Sequence, residues 1–279
     1  MNKDKHNPGQ DAILVIPKGN DIKLSLKSAS NLKLILEKYI PFYSLQNKRM
    51  LDISKAKEKV YEFKSNNFQE ANDYINKLNE RQRQIADKSF TLTTKSRLIV
   101  GLGGGSALEV SIKLHFIYGF PYIPSSAIKG VLKAYKILKL KKVNFDFEKY
   151  SKFEKEIESG DKGSEEIGAF VRVFGNQQYK GDLIILDAIP EKFPKLEEDI
   201  MNPHYPKYYN DKKPPTDDQY PVPIKFLTVE KEEKFNFYFK NSQVYKEAFE
   251  TDLKQDLIEA FNYLGIGAKT GIGYGVLDG

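Results

Sequence analysis

Residues 265–275 read Gly265-Ile266-Gly267-Ala268-Lys269-Thr270-Gly271-Ile272-Gly273-Tyr274-Gly275. Five glycines in eleven positions follow a run in which Val244, Phe249, Leu253, Leu257, Phe261 and Leu264 mark the core side of an amphipathic helix. Glycine accepts φ > 0 and lets a ligand approach the backbone closely. Exposed amides in such a loop can cradle phosphate; Lys269 adds charge and Thr270 a hydroxyl. Ala268-Lys269-Thr270 is not the end of a nucleotide P-loop. Ala268 stands where that motif needs glycine, and the loop follows a helix where a P-loop precedes one. A tight helix-to-strand connection would need only one or two glycines.

Upstream, Phe235, Phe237 and Phe239 share one face of a strand at Lys234–Lys240. With Ile224–Val229 it reads as a β-hairpin around Glu230–Glu233. Residues 190–223, with eight prolines, read as a long irregular insertion. Leu183–Ala188 reads as a buried strand and 144–167 as a charged helix plus loop. A helix from Ser125 or Ser126, either of which can cap it, runs to about Leu140. Before it, Leu92–Leu102 and the alternating Leu108–Tyr118 read as strands around a second glycine cluster, Gly101–Gly105. That cluster lacks the strand-turn-helix setting of a dinucleotide fingerprint.

From Arg97 onward the order is βαββαβ. This predicts an α+β, ferredoxin-like or RRM-like domain over 91–279, with helices on one sheet face and the other face free to bind. Residues 1–90 read as a mostly helical extension. It holds a short strand at Ala12–Ile16, a helix over Leu32–Tyr39 capped by Asn31, and a longer helix over Ser54–Asp87 with a break near Ser65–Phe68.

The 279 residues suffice for one large domain or two small ones. No cysteine is present, which excludes disulfides, a thiol nucleophile and Cys-ligated metal. The three histidines, His6, His115 and His204, are far apart in sequence, so no metal site or cofactor is expected. Glu197-Glu198-Asp199 and Asp217-Asp218 read as solvated acids. Residues 1–11 are polar, and no apolar run approaches a membrane span. A cytoplasmic protein without membrane contact is the expectation.

The net charge of +6 is unevenly spread. Residues 91–150 carry 10 basic and 3 acidic side chains, whereas residues 151–279 carry 17 and 24. A concentrated basic segment suits a polyanion, most often nucleic acid. Lys129, Lys133 and Lys136 form one stripe on the helix after Pro124, and no acid occurs from Ser125 to Phe145. Such a stripe contacts phosphates without reading sequence; a solvated lysine face is the plainer alternative.

Three blocks carry a resemblance. They are Gly101-Leu-Gly-Gly-Gly-Ser through Tyr118-Gly-Phe-Pro-Tyr-Ile-Pro-Ser-Ser-Ala-Ile-Lys-Gly130, the stretch from Asp187 through Val229, and Gly265–Gly275. Together they resemble the RAMP superfamily of CRISPR proteins, and within it the sixth-subunit family of the type III-B Cmr effector. The resemblance covers about residues 91–279. It implies a non-catalytic subunit that holds crRNA near its 3′ end, caps the backbone filament and takes part in target RNA binding beside other Cmr subunits. An obligate homo-oligomer is not implied. RNA contacts carried over from the family fall on Gly267, Lys269, Thr270 and Gly271, with Ser125, Ser126 and Lys129 as a second group. Lys133, Lys136 and Arg172 are added on charge. The alternative is a RAMP endoribonuclease that processes precursor crRNA, with His115 as its acid–base residue; a packed, structural His115 is the competing reading.

Overall fold

The computed structural model describes residues 31–37, 68–106, 108–141, 146–159, 164–202 and 223–279, with the pieces 12–13, 43–44, 49–50, 57–58, 60–61 and 214. His6, His204, Asp217-Asp218 and most of the proline-rich insertion lie outside the described residues.

In chain order the elements are β1 (Ala12–Ile13), α1 (Leu32–Glu37), β2 (Tyr43–Ser44), β3 (Arg49–Met50), α2 (Gln69–Ile85), β4 (Lys88–Thr94), α3 (Ser125–Lys141), α4 (Phe147–Ser159) and α5 (Glu165–Phe174). There follow β5 (Ile184–Ile185), β6 (Ile189–Pro190), β7 (Leu196–Met201), β8 (Ile224–Val229), β9 (Lys234–Lys240), α6 (Gln243–Phe249), α7 (Leu253–Tyr263) and β10 (Leu277–Asp278). The main sheet runs β10-β4-β9-β5, with β6 also on β9, and every pairing is antiparallel. Strands β7 and β8 form a separate antiparallel ribbon, and β1-β2-β3 a small third sheet. Among the described residues, no helix is long and apolar enough to cross a membrane.

Strand β9, Lys-Phe-Asn-Phe-Tyr-Phe-Lys, is buried at all five interior positions. Aromatic side chains fill a pleated surface well, and a strand covered on both faces loses the usual in–out alternation. Phe235, Phe237 and Phe239 face the main core, where Phe237 lies 5.7 Å from Phe261 of α7 and Phe90 of β4 stacks on Phe239. Asn236 and Tyr238 face α2. There Asn79 accepts from the Tyr238 hydroxyl (2.9 Å) and the Asn236 amide (3.2 Å), and donates to the Pro190 carbonyl (2.9 Å). The expected free sheet face is therefore covered over β9, because α2 supplies the one polar residue that satisfies both strand side chains.

Three further expectations change. The β8–β9 hairpin does not form: β8 pairs with β7 and β9 with β4. The connecting turn, with Glu232 at φ 66°, hands the chain from one sheet to the other while Thr94 bonds Glu230, Glu232 and Glu233. Leu108–Tyr118 is not a strand. Glu109 takes φ 68° and the Val110 amide bonds back to Leu108, so the chain cannot stay extended. Its alternation reports burial of Leu108, Ile112 and Leu114, not pairing. The first core strand is Lys88–Thr94 instead of Leu92–Leu102; after Thr94 the chain leaves the sheet and Leu98 bridges Val229. The charged region after α3 yields two helices, α4 and α5. Ser164 caps α5 by accepting from the Ile167 amide.

Asn79→Ala removes one hydrogen bond from each of three buried partners, Tyr238, Asn236 and the Pro190 carbonyl. It is expected to lower stability by about 2–3 kcal/mol in urea unfolding, whereas the exposed Asn76→Ala stays within about 0.5 kcal/mol.

Candidate nucleic-acid interface

The loop after α7 is anchored at both ends. The Ile266 amide bonds Gly275 O (2.8 Å), the Gly275 amide bonds Arg97 O (2.9 Å) and the Ala268 amide bonds Ile99 O (2.8 Å). Gly267 (φ +96°) and Gly275 (φ +76°) are obligatory: a Cβ would collide with Ile99 O in the first case and Ile266 O in the second. Gly271 is different. It has ordinary φ, and a Cβ there would meet nothing within 4 Å. Its bareness has no packing reason and leaves the backbone open. Thr270–Ile272 is a short 3₁₀ turn entered through Lys269 at φ 61°. Among the described residues, the amides of Gly267, Lys269, Thr270 and Gly271 donate no hydrogen bond and Lys269 makes no ion pair. The Lys269 ammonium lies 5.3 Å from the Phe226 ring centroid. Amides without internal partners beside one cation can receive an anion.

The second glycine cluster meets this loop at Ile99. Gly104 N bonds Gly101 O (3.0 Å) and Lys113 N bonds Val100 O (2.7 Å), which brings Lys113 back beside Val100. Gly103 and Gly105 again have open space where a Cβ would stand. The β7–β8 ribbon is locked to the same corner. Arg97 donates to Asp199 (2.7 Å) and Glu197 (3.0 Å), and the Tyr274 hydroxyl donates to Asp199. Burial alone would raise the Asp199 carboxyl; hydrogen bonds from Tyr274, the Ile200 amide and Arg97 outweigh it and hold the group below its ordinary value. Asp199, which reads as a solvated acid in sequence, is an anchor. Its partners Arg97 and Tyr274 lie 102 and 75 residues away, so no local pattern reveals it.

The α3 stripe fares unevenly. Lys129 and Ser126 are exposed. Lys133 pairs with Glu158 at 2.7 Å. Lys136 does not belong to the surface: it is 1% exposed and bonded to Asp256 and Thr251 (2.9 Å each), with its ammonium 4.7 Å from the Phe249 centroid. Burial pushes this ammonium below its ordinary value even with Asp256 beside it. Burial would raise Asp256, but hydrogen bonds from Thr251 and Lys136 lower it further than that. Arg172 is bonded to Glu247 at 2.7 Å and lies 3.9 Å from Asp182. The acids of 151–279 thus neutralise much of the basic segment through folding.

Ser125 does not cap α3. The helix begins at Ser125, whose amide donates to Asp187 at 2.7 Å. Ser125, Ser126, Lys129, Lys133 and Lys180 line an open cleft of about 650 Å³. Tyr135, Lys136 and Lys139, in the second half of α3, bond Thr251, Asp256 and Glu259, just before and within the first two turns of α7. The Ser125 end of α3 therefore points away from the start of α7, toward the end that carries the glycine loop. His115 stands apart, its ring stacked on Tyr118 and Phe120 at 5.0 and 4.9 Å. Among the described residues, no group of three or more His, Cys, Asp or Glu residues could hold a metal.

The RAMP superfamily model matches residues 91–278. The chain is 34% identical to the CRISPR system Cmr subunit Cmr6 of Pyrococcus furiosus, over 95% of this chain and 86% of that protein. It is 26% identical to the CRISPR system CMR subunit Cmr6 of Saccharolobus solfataricus, over 80% and 70%. A chain in the cryo-EM structure of the Type III-B Cmr-beta bound to cognate target RNA has a similar fold. The TM-score is 0.52 at 23% identity, covering 82% of this chain and 75% of that one.

Lys136→Met leaves Asp256 short of its buried counter-charge. It is expected to cost about 3 kcal/mol of stability, while Lys129→Met stays within about 0.5 kcal/mol in the same thermal or urea unfolding. Asp256 is lowered on folding, so its contribution is complete above the unfolded carboxyl value of about 3.9 and disappears as pH falls through the lower folded value. An acid titration of unfolding is expected to flatten in that window in Asp256→Asn.

Proposed function

This chain belongs to the RAMP superfamily, among the Cmr6 subunits, and we propose that it binds the guide RNA backbone in a type III-B Cmr effector without cutting RNA. The observation that carries the reading is the glycine loop. Gly267, Lys269, Thr270 and Gly271 present amides that have no partner among the described residues, a cation and a hydroxyl, on a backbone whose ends are locked by Arg97, Ile99 and Asp199. A rigid frame around open donors favours phosphate, since the protein loses little freedom on binding. Ser126 and Lys129 supply a second contact at the same end of the helix pair. Lys136 and Arg172, spent on Asp256 and Glu247, are left out of the interface.

The place of this subunit is the crRNA 3′ end, where one copy caps the filament and contacts target RNA and neighbouring Cmr subunits. The order β4, α3, β5–β6, β9, α7, β10 supports a ferredoxin-like reading of the sheet. Target choice is left to base pairing. A backbone-binding role agrees with a loop of amides and a lysine, groups that position RNA and read no bases.

The test is a salt titration of full-length protein with spacer-length guide RNA. Lys269→Ala is expected to weaken binding and to reduce the slope of log K against log[salt] by about 1, equally for unrelated spacer sequences. Lys136→Met is expected to leave the slope unchanged. Incubation of the purified protein with repeat-containing precursor RNA is expected to give no specific product; a single-site cut abolished by His115→Ala would establish the nuclease instead.

A further inference from the structure

The turn at 115–119 is braced from all sides. His115 N donates to Phe120 O (2.7 Å), and Gly119 N donates to His115 O (2.9 Å). His115 Nδ1 accepts the amides of Ile117 and Tyr118 at 3.3 Å each. The imidazole stacks on Tyr118 and Phe120, and Tyr118 stacks on Tyr74 of α2 at 4.2 Å. Asn31 donates to Ile117 O at 2.6 Å and lies where a side chain at Gly119 (φ +69°) would have to go. Burial lowers the His115 pKa, which keeps Nδ1 an acceptor at neutral pH.

What this bracing holds out is apolar. Phe116 is 82% exposed and Ile117 64%. Neither serves the core, so the turn is built to display them. The surroundings are basic: the Lys33 ammonium, also paired with Glu37, lies 5.7 Å from the Phe116 centroid, and Lys113 is exposed. Lys113 lies against Gly101 and bonds Val100 O. Three residues of chain, at most about 10 Å, separate it from Phe116. The turn therefore lies close to the Gly101–Gly105 segment, which meets the glycine loop after α7 at Ile99.

We infer that Phe116 is a stacking platform for one unpaired base of the RNA whose backbone the glycine segments hold. The inference rests on the RNA-binding reading above and adds to it the ring that meets a base. Every base has a π-face, so stacking on a fixed ring is tolerant of sequence. A braced turn pays little entropy on binding. The neighbouring cations suit the flanking phosphates, and closeness to the Gly101–Gly105 segment favours RNA over an apolar protein partner.

The chain has no tryptophan, so Phe116→Trp introduces a single reporter at an exposed site. Its fluorescence is expected to be quenched on titration with single-stranded guide RNA. Phe116→Ala is expected to weaken binding about tenfold with the salt slope unchanged, and Phe116→Tyr to retain affinity. Unquenched fluorescence with RNA bound would overturn the inference; a blue shift only when other complex subunits are added would assign the patch to a protein. Lys269→Ala separates the two failures. If it still weakens RNA binding while Phe116→Trp stays silent, only the stacking role falls. If the chain binds no RNA at all, the glycine-loop reading falls with it.

Discussion

Strand β9 is covered on both faces, by the phenylalanine-rich main core on one side and by Asn79 of α2 on the other. This double burial decides where function can sit. An RRM-like sheet binds RNA on its open face, but here Asn236 and Tyr238 on that face are occupied by a helix from the N-terminal part of the chain. The proposed RNA-binding elements are accordingly the loops at one end of the sheet. There the α7-to-β10 connection, the Gly101–Gly105 segment and the base of the β7–β8 ribbon converge on Ile99, Arg97 and Asp199.

The parts legible in the sequence are those governed by local chemistry. The helix after Pro124, the amphipathic α7, the aromatic strand β9 and the glycine loop each follow from spacing or from the backbone freedom of glycine. The parts that were not legible depend on distant partners. Leu108–Tyr118 alternates like a strand because Leu108, Ile112 and Leu114 are buried, yet Glu109 and the 115–119 turn break its path. Strand β8 has a near neighbour in β9 and pairs instead with β7. Propensity says that a strand exists; it does not say which edge it meets.

Charge shows the same division. The lysine stripe of α3 is plain in the sequence, but Lys133, Lys136 and Lys139 meet Glu158, Asp256 and Glu259 from later segments. Glu259, held by Lys139, Tyr135 and Gln255, is drawn down to about 2. A segment that carries 10 basic and 3 acidic residues thus reaches the surface with far less free charge than its count suggests. Lys129 and Lys269 keep their exposure or freedom from ion pairs among the described residues, at the same end of the α3–α7 pair. Position, more than sum, makes this corner suited to a phosphate chain.

Hydrogen–deuterium exchange of the full-length protein, with and without guide RNA, tests the central claim most directly. The amides of Gly267, Lys269, Thr270 and Gly271 donate no hydrogen bond among the described residues and are expected to exchange fast in the free protein. With RNA bound, exchange at 267–271 is expected to slow. Protection that appears elsewhere while 267–271 exchanges unchanged would contradict the glycine loop as the RNA-binding element.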